Sequence, residues 1–96
     1  MYASMTMFTV PPGMREKMEQ LADRMLLGMK QMKGFVSITF VMDDEASEYG
    51  GFALWESKED AETAMSRTGP QLDEALAGIV IGPLHRKLFE VYEPKA

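Results

Sequence analysis

The stretch FALWESKEDAE, residues Phe52–Glu62, holds the only tryptophan of the chain and joins two different patterns. Its first part is apolar, which favours a strand. Its second part is charged and opens with Ser57 three residues before Asp60, an arrangement typical of a helix N-terminus. The stretch therefore predicts a strand that ends near Trp55 and a helix that begins at Ser57.

The residues before this junction predict two further strands and one helix. Residues 2–10 alternate and are rich in residues that favour strands. From Met14 to Met32 apolar residues recur every three or four positions, which predicts a helix of about five turns. Gly34 stands where a glycine would cap and end that helix. The apolar run 35–42 then predicts the second strand.

The residues after the junction predict the rest of the second helix. We expect Gly69-Pro70 to interrupt this helix, because proline lacks the backbone N–H that a helix interior needs. A further short helix is expected over 71–78. The third strand, which leads into the junction, is expected to cover 48–56 and to follow a polar connection at 43–47.

A second break at Gly82-Pro83 places the expected fourth strand at 84–92. The resulting order, βαββαβ, is that of a ferredoxin-like α+β fold, with a four-stranded antiparallel sheet. No linker-like or low-complexity run divides the sequence, so residues 1–96 are expected to form one domain.

Strands two, three and four carry apolar residues on both faces of the expected sheet. In strand two, alternation places Val36, Ile38, Phe40 and Met42 on one face and Phe35 and Val41 on the other. In strand three it places Phe52 and Leu54 opposite Tyr49 and Trp55. In strand four it places Leu84, Leu88 and Tyr92 opposite Phe89 and Val91. Two helices can cover only one face, and an exposed apolar face usually marks an interface. We therefore expect a homodimer in which two sheets pack on each other, since twofold dimers are the commonest closed assembly.

The composition excludes several classes of function. The formal net charge is −5, which disfavours binding to nucleic acid. No cysteine is present, so disulfides, thiolate metal sites and cysteine nucleophiles are excluded. The N-terminus does not resemble a signal peptide, and no apolar run is long enough to cross a membrane. A cytoplasmic location is the expectation.

Three segments together resemble the antibiotic biosynthesis monooxygenase family of the dimeric α+β barrel superfamily. They are MKGFVSITF (32–40), FALWESKEDAE (52–62) and GPLHRKLFEVY (82–92), in a chain of βαββαβ order. The resemblance extends from about Met5 to Tyr92. It implies a dimer whose two sheets form a shared barrel, with a small cavity in each protomer between sheet and helices. Family members include cofactor-independent oxygenases acting on polyketide phenols or quinones, and haem-degrading enzymes.

The resemblance also separates these two activities. The haem-degrading branch uses an asparagine in strand one, a tryptophan ending strand three and a histidine in helix two. Trp55 matches the tryptophan, but Thr6 stands at the asparagine position and helix two has no histidine. Haem degradation is therefore disfavoured. No cofactor and no metal site are expected.

Trp55 is the first candidate for a site residue. Its neighbours on one strand face are Ala53, Gly51 and Tyr49, and small residues beside a large aromatic leave room for a pocket. The same pattern suits a helix that packs closely on the sheet, so Trp55 is either a core or interface residue or a pocket wall. Tyr49 would share whichever surroundings Trp55 has.

His85 is the only histidine and therefore the only side chain that titrates near neutral pH without a shifted pKa. It is the obvious general base, for example to deprotonate a phenol. A lone histidine near a strand start also fits a surface or interface position. Two hydroxyls, of Thr6 and Ser37, are alternative groups for moving a proton.

Methionines on the first helix form the last candidate wall. Met25 and Met29 lie on its apolar stripe and are either core residues or a soft lining for a flat apolar ligand. The acidic run 43–48 is best explained as a solvated loop, because it lacks a calcium-loop pattern.

Two functions remain open. One is a cofactor-independent monooxygenase that acts on an aromatic, quinone-like or polyketide-like molecule. The other is a non-catalytic dimeric module of the same fold, which binds a small molecule or serves in a stress response.

Overall fold

Six elements in the order βαββαβ make up residues 1–95, the part of the chain that the structure, a computed structural model, describes. They are β1 (Tyr2–Thr9), α1 (Arg15–Met29), β2 (Phe35–Asp43), β3 (Glu48–Trp55), α2 (Lys58–Leu76) and β4 (Ile81–Glu90). The strands form one antiparallel sheet in the order β2-β3-β1-β4. The predicted ferredoxin-like α+β fold of the single chain is confirmed.

Helix α2 begins as the sequence predicts. Ser57 is its N-cap, and its hydroxyl oxygen accepts a hydrogen bond from the Asp60 backbone N–H at 3.1 Å. This bond satisfies one of the N–H groups that the first turn of a helix leaves without a partner.

The predicted interruption of this helix at Gly69-Pro70 is wrong, because α2 runs without a break through Pro70. Proline removes one hydrogen bond and disfavours the preceding turn. Buried side chains continue on both sides of it, with Ala61 and Ala64 before and Leu72 and Leu76 after. Most helical stability in proteins comes from such packing, which here outweighs the local cost of proline.

Helix α1 is shorter than predicted. It ends at Met29, with Lys30 as its C-cap, rather than at Gly34. The chain then tightens into turns, in which the Met32 N–H donates to the Met29 carbonyl at 3.0 Å. Gly34 instead lies beside Asp60 with a φ of 80°, and a Cβ there would overlap the Asp60 carboxyl group.

The predicted start of strand four is also wrong, because β4 begins at Ile81 and includes Gly82-Pro83. Its pairing with β1 shifts register between Met7 and Thr9, and Gly82 has a φ of 74°. A bulge of this kind absorbs extra residues without ending the strand. At the other end, Tyr92 lies beyond the strand and is 75% exposed.

A second bulge changes the predicted faces of β2. Its register with β3 shifts between Phe35 and Ser37, so that Phe35 pairs with Trp55 while Ile38 pairs with Ala53. Phe35 therefore packs in the same core cluster as Ile38, whereas Val36 is exposed. Simple alternation places Phe35 and Ile38 on opposite faces, which is wrong because the bulge adds one residue between them.

The pairing registers divide the sheet into two faces. The inner face lies under the helices and holds Ser4 and Phe8 of β1 and Tyr49, Ala53 and Trp55 of β3, all of them buried. The outer face bears no helix and holds, among others, Met5, Met7, Ser37, Val41, Phe52, Leu54, His85, Lys87 and Phe89. The core therefore sits on one side of the sheet only.

Candidate functional site

A cavity of about 90 Å³ lies between the inner face and the two helices. Its walls come from all four strands and from both α1 and α2, and most of its lining is apolar. Trp55, Tyr49, Thr6, Met25 and Met29, five of the residues predicted as site residues, all line it. The fold therefore gathers them around one space.

Trp55 forms one wall of the cavity and is 1% exposed. Its ring meets Phe35 edge-on, with ring centroids 5.7 Å apart and planes at 77°. Its indole N–H donates to the Ser4 hydroxyl oxygen at 3.1 Å. Because that donor is already used, Trp55 presents a ring rather than a polar group to the cavity.

The space beside Trp55 exists because its neighbours on β3 are small. Gly51 and Ala53 occupy the inner face between Trp55 and Tyr49, and all four line the cavity. A Cβ built on Gly51 would make ordinary contacts, at 3.4 Å from the Phe40 ring, so a side chain there would occupy space that is now open. This agrees with the expectation drawn from alternation in FALWE.

Tyr49 closes another part of the cavity and connects it to the surface. The ring is buried, and its hydroxyl donates to Asp44 Oδ1 at 2.9 Å. Asp44 Oδ2 in turn accepts from Arg15 Nη1 at 3.1 Å. The hydrogen bond to Asp44, helped by burial, raises the pKa of Tyr49 above its ordinary value. Tyr49 is therefore held in its protonated form at neutral pH.

Methionine side chains from α1, α2 and β2 supply much of the apolar lining, which we refer to as the methionine wall. Five methionines line the cavity, namely Met18, Met25, Met29, Met42 and Met65. Thioether side chains are flexible and polarisable and make favourable contacts with aromatic rings. This wall can therefore adapt to a flat apolar ligand.

Arg86 is a lining residue that the sequence analysis missed. It pairs with Thr6 across β1 and β4 and shares the inner face with it. Its Nη2 donates to Asp73 Oδ1 at 2.7 Å and to the Gly69 carbonyl at 3.4 Å, both on α2. Its position between Leu84 and Leu88, which alternation places on one face, was the available signal.

His85 and Ser37 are not brought to the cavity. His85 pairs with Met7 and Ser37 pairs with Leu54, so both lie on the outer face. Both residues are exposed there. The expectation that either would handle a proton in this cavity is therefore corrected, because strand alternation turns their side chains to the other side of the sheet.

Among residues 1–95, no group of three or more His, Cys, Asp or Glu side chains is arranged to hold a metal ion. None of the helices in the same part of the chain is both long and apolar enough to cross a membrane.

Comparison with protein families gives a match over most of the chain. The family model named antibiotic biosynthesis monooxygenase matches residues 1–70, which contain β1 to β3, α1 and most of α2. The chain belongs to this family. A search of curated proteins finds no match to this sequence.

Several solved structures resemble this chain along its length. SnoaB of Streptomyces nogalater, a cofactor-independent oxygenase, is 21% identical, with 98% of this chain and 95% of that chain covered and a TM-score of 0.76. The ActVA-Orf6 monooxygenase of Streptomyces coelicolor, in complex with Nanaomycin D, is 20% identical, with 99% and 90% covered and a TM-score of 0.77. Rv0793 of Mycobacterium tuberculosis is 16% identical, with 99% and 98% covered and a TM-score of 0.76. At these identities the structures establish the shared fold.

Proposed function

We propose that this member of the antibiotic biosynthesis monooxygenase family is a cofactor-independent monooxygenase acting on an aromatic, quinone-like or polyketide-like small molecule. The observation that carries the proposal is the open volume under the helices. Protein cores are close-packed, and this cavity of about 90 Å³ has room for about six to nine waters. Its aromatic and thioether walls suit a flat apolar ring system.

The family match and two of the structural relatives support the class of reaction. SnoaB is described as a cofactor-independent oxygenase, and the ActVA-Orf6 monooxygenase was crystallised with Nanaomycin D. Both share the fold of this chain. The proposal carries over the reaction class and leaves the individual substrate open.

The proposed chemistry balances without an external reductant. An activated ring methylene reacts with O₂, one oxygen atom becomes a ring carbonyl, and the other leaves as water with the two methylene hydrogens. The substrate supplies all the electrons, and it does so most readily as its phenolate or enolate. The protein must therefore position the ring, stabilise negative charge and exclude bulk water.

Residues of the cavity divide these tasks in the proposal. Trp55, Tyr49, Met25 and Met29 hold the ring by apolar and aromatic contact. The proposal assigns the passing of a proton to the Thr6 hydroxyl, on the inner face of β1. His85 and Ser37 have no part in this cavity, because they lie on the outer face.

We propose, in addition, that the protein is a homodimer formed through the outer face. The exposed large apolar side chains include Val36 and Phe52 at 43% each and Phe89 at 44%. Phe52 and Phe89 share this face with Met5 and Leu54. Covering such a surface with a second copy removes it from water, and the family resemblance implies the same arrangement.

The function is tested by oxygen uptake together with a thermal-shift screen. Hydroquinones and polyketide phenols are added to the wild type and to Trp55→Phe, with haem as a further ligand. We expect at least one phenol to raise the melting temperature of the wild type and to support O₂ consumption. A smaller response is expected from Trp55→Phe and none from haem.

Two further variants localise the response. Gly51→Val fills the space beside Trp55 and should abolish the ligand-induced shift. His85→Ala changes the outer face only and should respond like the wild type. If Gly51→Val and the wild type respond alike, the ligand does not occupy this cavity. If no phenol binds the wild type, the proposed function is wrong.

A binding module without catalysis is the second candidate. No carboxylate or imidazole stands among the described residues that line the cavity, and such groups are the usual general bases. This observation favours sequestration of a ligand. A phenol that binds and is blocked by Gly51→Val, yet supports no O₂ consumption, would establish this second function instead.

A further inference from the structure

The polar groups that line the cavity differ in how their hydrogen-bond donors are used. Trp55, Tyr49 and Thr68 each give their donor to another residue of the chain. The Thr68 hydroxyl, for example, donates to the Ala64 carbonyl at 2.9 Å. These groups have no donor left to offer a ligand.

Three other lining residues keep donors. The Ser4 hydroxyl accepts from the Trp55 indole and gives its own proton to no residue among 1–95. The Thr6 hydroxyl has no hydrogen-bond partner in the same part of the chain. Arg86 uses only Nη2 for its described bonds, which leaves Nε and Nη1 without a protein acceptor there.

These three residues are neighbours on the inner face, and we refer to Ser4, Thr6 and Arg86 as the donor patch. Thr6 and Arg86 are direct partners across β1 and β4. Ser4 lies two residues along β1 and therefore on the same face. Directly opposed residues have Cβ atoms about 4.5–5.5 Å apart, so one small group can reach more than one of these donors.

The donor patch also carries positive charge. The Arg86 side chain is 31% exposed, and its ion-pair partner Asp73 is 56% exposed and lies on α2. Asp73 and the Gly69 carbonyl both bind Nη2, and Arg86 is among the residues that line the cavity. Because the lining contains no carboxylate, an anionic oxygen on the patch meets no like charge from the cavity wall.

Resting on the proposed function, we infer that the substrate binds as an anion, a flat apolar ring system whose ionised acidic hydroxyl lies on the donor patch. Charge-assisted hydrogen bonds from Arg86, Thr6 and Ser4 hold that oxygen, and the methionine wall holds the rings. Substrates of this class are hydroxyquinones, acidic phenols and enolised dicarbonyls.

This inference accounts for the missing general base. A substrate with an acidic hydroxyl loses its proton to the solvent before it binds, so the cavity needs no carboxylate or imidazole to ionise it. Arg86 then keeps the bound oxygen in its charged form. The same negative charge makes the ring electron-rich and able to reduce O₂.

Two matched naphthoquinones test the inference by isothermal titration calorimetry. 2-Hydroxy-1,4-naphthoquinone is an anion at neutral pH, whereas 2-methyl-1,4-naphthoquinone has a methyl group at the same position and stays neutral. We expect the wild type to bind the hydroxy compound roughly tenfold more tightly, the low end for a charged hydrogen bond that solvent partly screens. Acidifying the buffer until the hydroxy compound is neutral should remove this preference.

Three variants test whether the preference for the hydroxy compound arises from the donor patch. Arg86→Met should weaken binding of the hydroxy compound roughly tenfold and leave binding of the methyl compound unchanged. Asp73→Asn breaks the same ion pair but keeps the guanidinium, so it should keep the preference. Thr6→Val should weaken binding of the hydroxy compound by a smaller factor.

The outcomes separate this inference from the proposed function. Equal binding of the two compounds by the wild type, or a preference that persists in Arg86→Met, overturns the anion inference and leaves the cavity as a binding site. If neither compound binds and none of the screened phenols does, both proposals fail. The acidification experiment uses the wild type alone, so the inference stays testable even if Arg86→Met does not fold.

Discussion

The indole N–H of Trp55 donates to the hydroxyl oxygen of Ser4 at 3.1 Å, joining two adjacent strands beneath the helices. Both residues are buried and both line the cavity. The bond therefore satisfies a donor that would otherwise stand in an apolar space, and it fixes the plane of the Trp55 ring.

Removing the acceptor should cost stability. Ser4→Ala leaves the buried indole N–H without a partner, and we expect a loss of about 2 kcal/mol in the free energy of unfolding. Urea denaturation measures it, with Ser66→Ala on the exposed side of α2 as a control expected to change by at most about 0.5 kcal/mol. The double variant Ser4→Ala, Trp55→Phe should lose less than the two single losses combined. Additive losses would show that the bond contributes nothing.

The Tyr49–Asp44 hydrogen bond predicts a dependence of stability on alkaline pH. The pKa of Tyr49 is raised in the folded chain, so its protonated form contributes stability that is fully present below the unfolded pKa of about 10. That contribution is lost as the pH rises through the folded pKa. The melting temperature, measured from pH 7 to pH 11, should therefore fall less steeply with pH in Tyr49→Phe than in the wild type.

Tyr92→Phe is the control for this measurement. Tyr92 is 75% exposed and lies outside the hydrogen-bonded group of Tyr49, Asp44 and Arg15. The melting temperature of Tyr92→Phe should fall with pH as steeply as that of the wild type. A Tyr49→Phe variant with that same slope would contradict the role given to the Asp44 bond.

The sequence was most informative where local chemistry decides structure. The Ser57 cap and the alternation around Trp55 are local signals, and both are confirmed. The bulges at Phe35 and near Gly82, by contrast, arise from pairing between distant strands, and one extra residue reverses which face a side chain occupies. The local cost of proline predicts a break in α2, whereas packing on both sides of Pro70 keeps the helix continuous.

The same distinction, between local signals and pairing of distant strands, explains which residues of the candidate site the sequence predicts. Trp55, Tyr49 and Thr6, which the aromatic pattern and the family resemblance indicate, all line the cavity. His85 is a candidate for its chemistry, and the structure shows the surface position that the sequence also allows, on one face with Lys87 and Phe89. Arg86 lies between Leu84 and Leu88, so alternation along the strand already separates it from His85 and Lys87, and its pairing with Thr6 shows that its face is the one under the helices.

The proposed dimer predicts a variant that separates the two copies. Phe52 is 43% exposed on the outer face, so Phe52→Arg should keep the fold while placing a charge in the interface. We expect light scattering at micromolar concentration to give a dimer for the wild type and a monomer for Phe52→Arg. Leu27→Arg, at a site that is 65% exposed on α1, should remain dimeric. A monomeric wild type, or a dimeric Phe52→Arg, would contradict the proposed interface.

Replacing glycine with alanine should change stability in opposite directions at Gly50, in β3, and at an exposed glycine of α1. A Cβ at Gly50 would overlap the Thr6 carbonyl oxygen and approach Met7 Cα at 3.0 Å, both backbone atoms of the neighbouring strand. Because those atoms belong to the β1–β3 ladder, Gly50→Ala should destabilise the fold by about 3 kcal/mol. Gly28, in α1, has nothing within 4 Å of a built Cβ. Gly28→Ala should stabilise the fold by about 0.5–1 kcal/mol, since alanine favours helix.

Chemical denaturation of the two glycine variants against the wild type compares the effects directly. The two substitutions add the same group, so a difference in sign isolates the close approach of β1 and β3 at Gly50. That approach also fixes Thr6 against β3, on the strand that carries two members of the donor patch. A Gly50→Ala variant as stable as Gly28→Ala would mean that β1 can move away from β3, and the position of Thr6 would then not be held by the sheet.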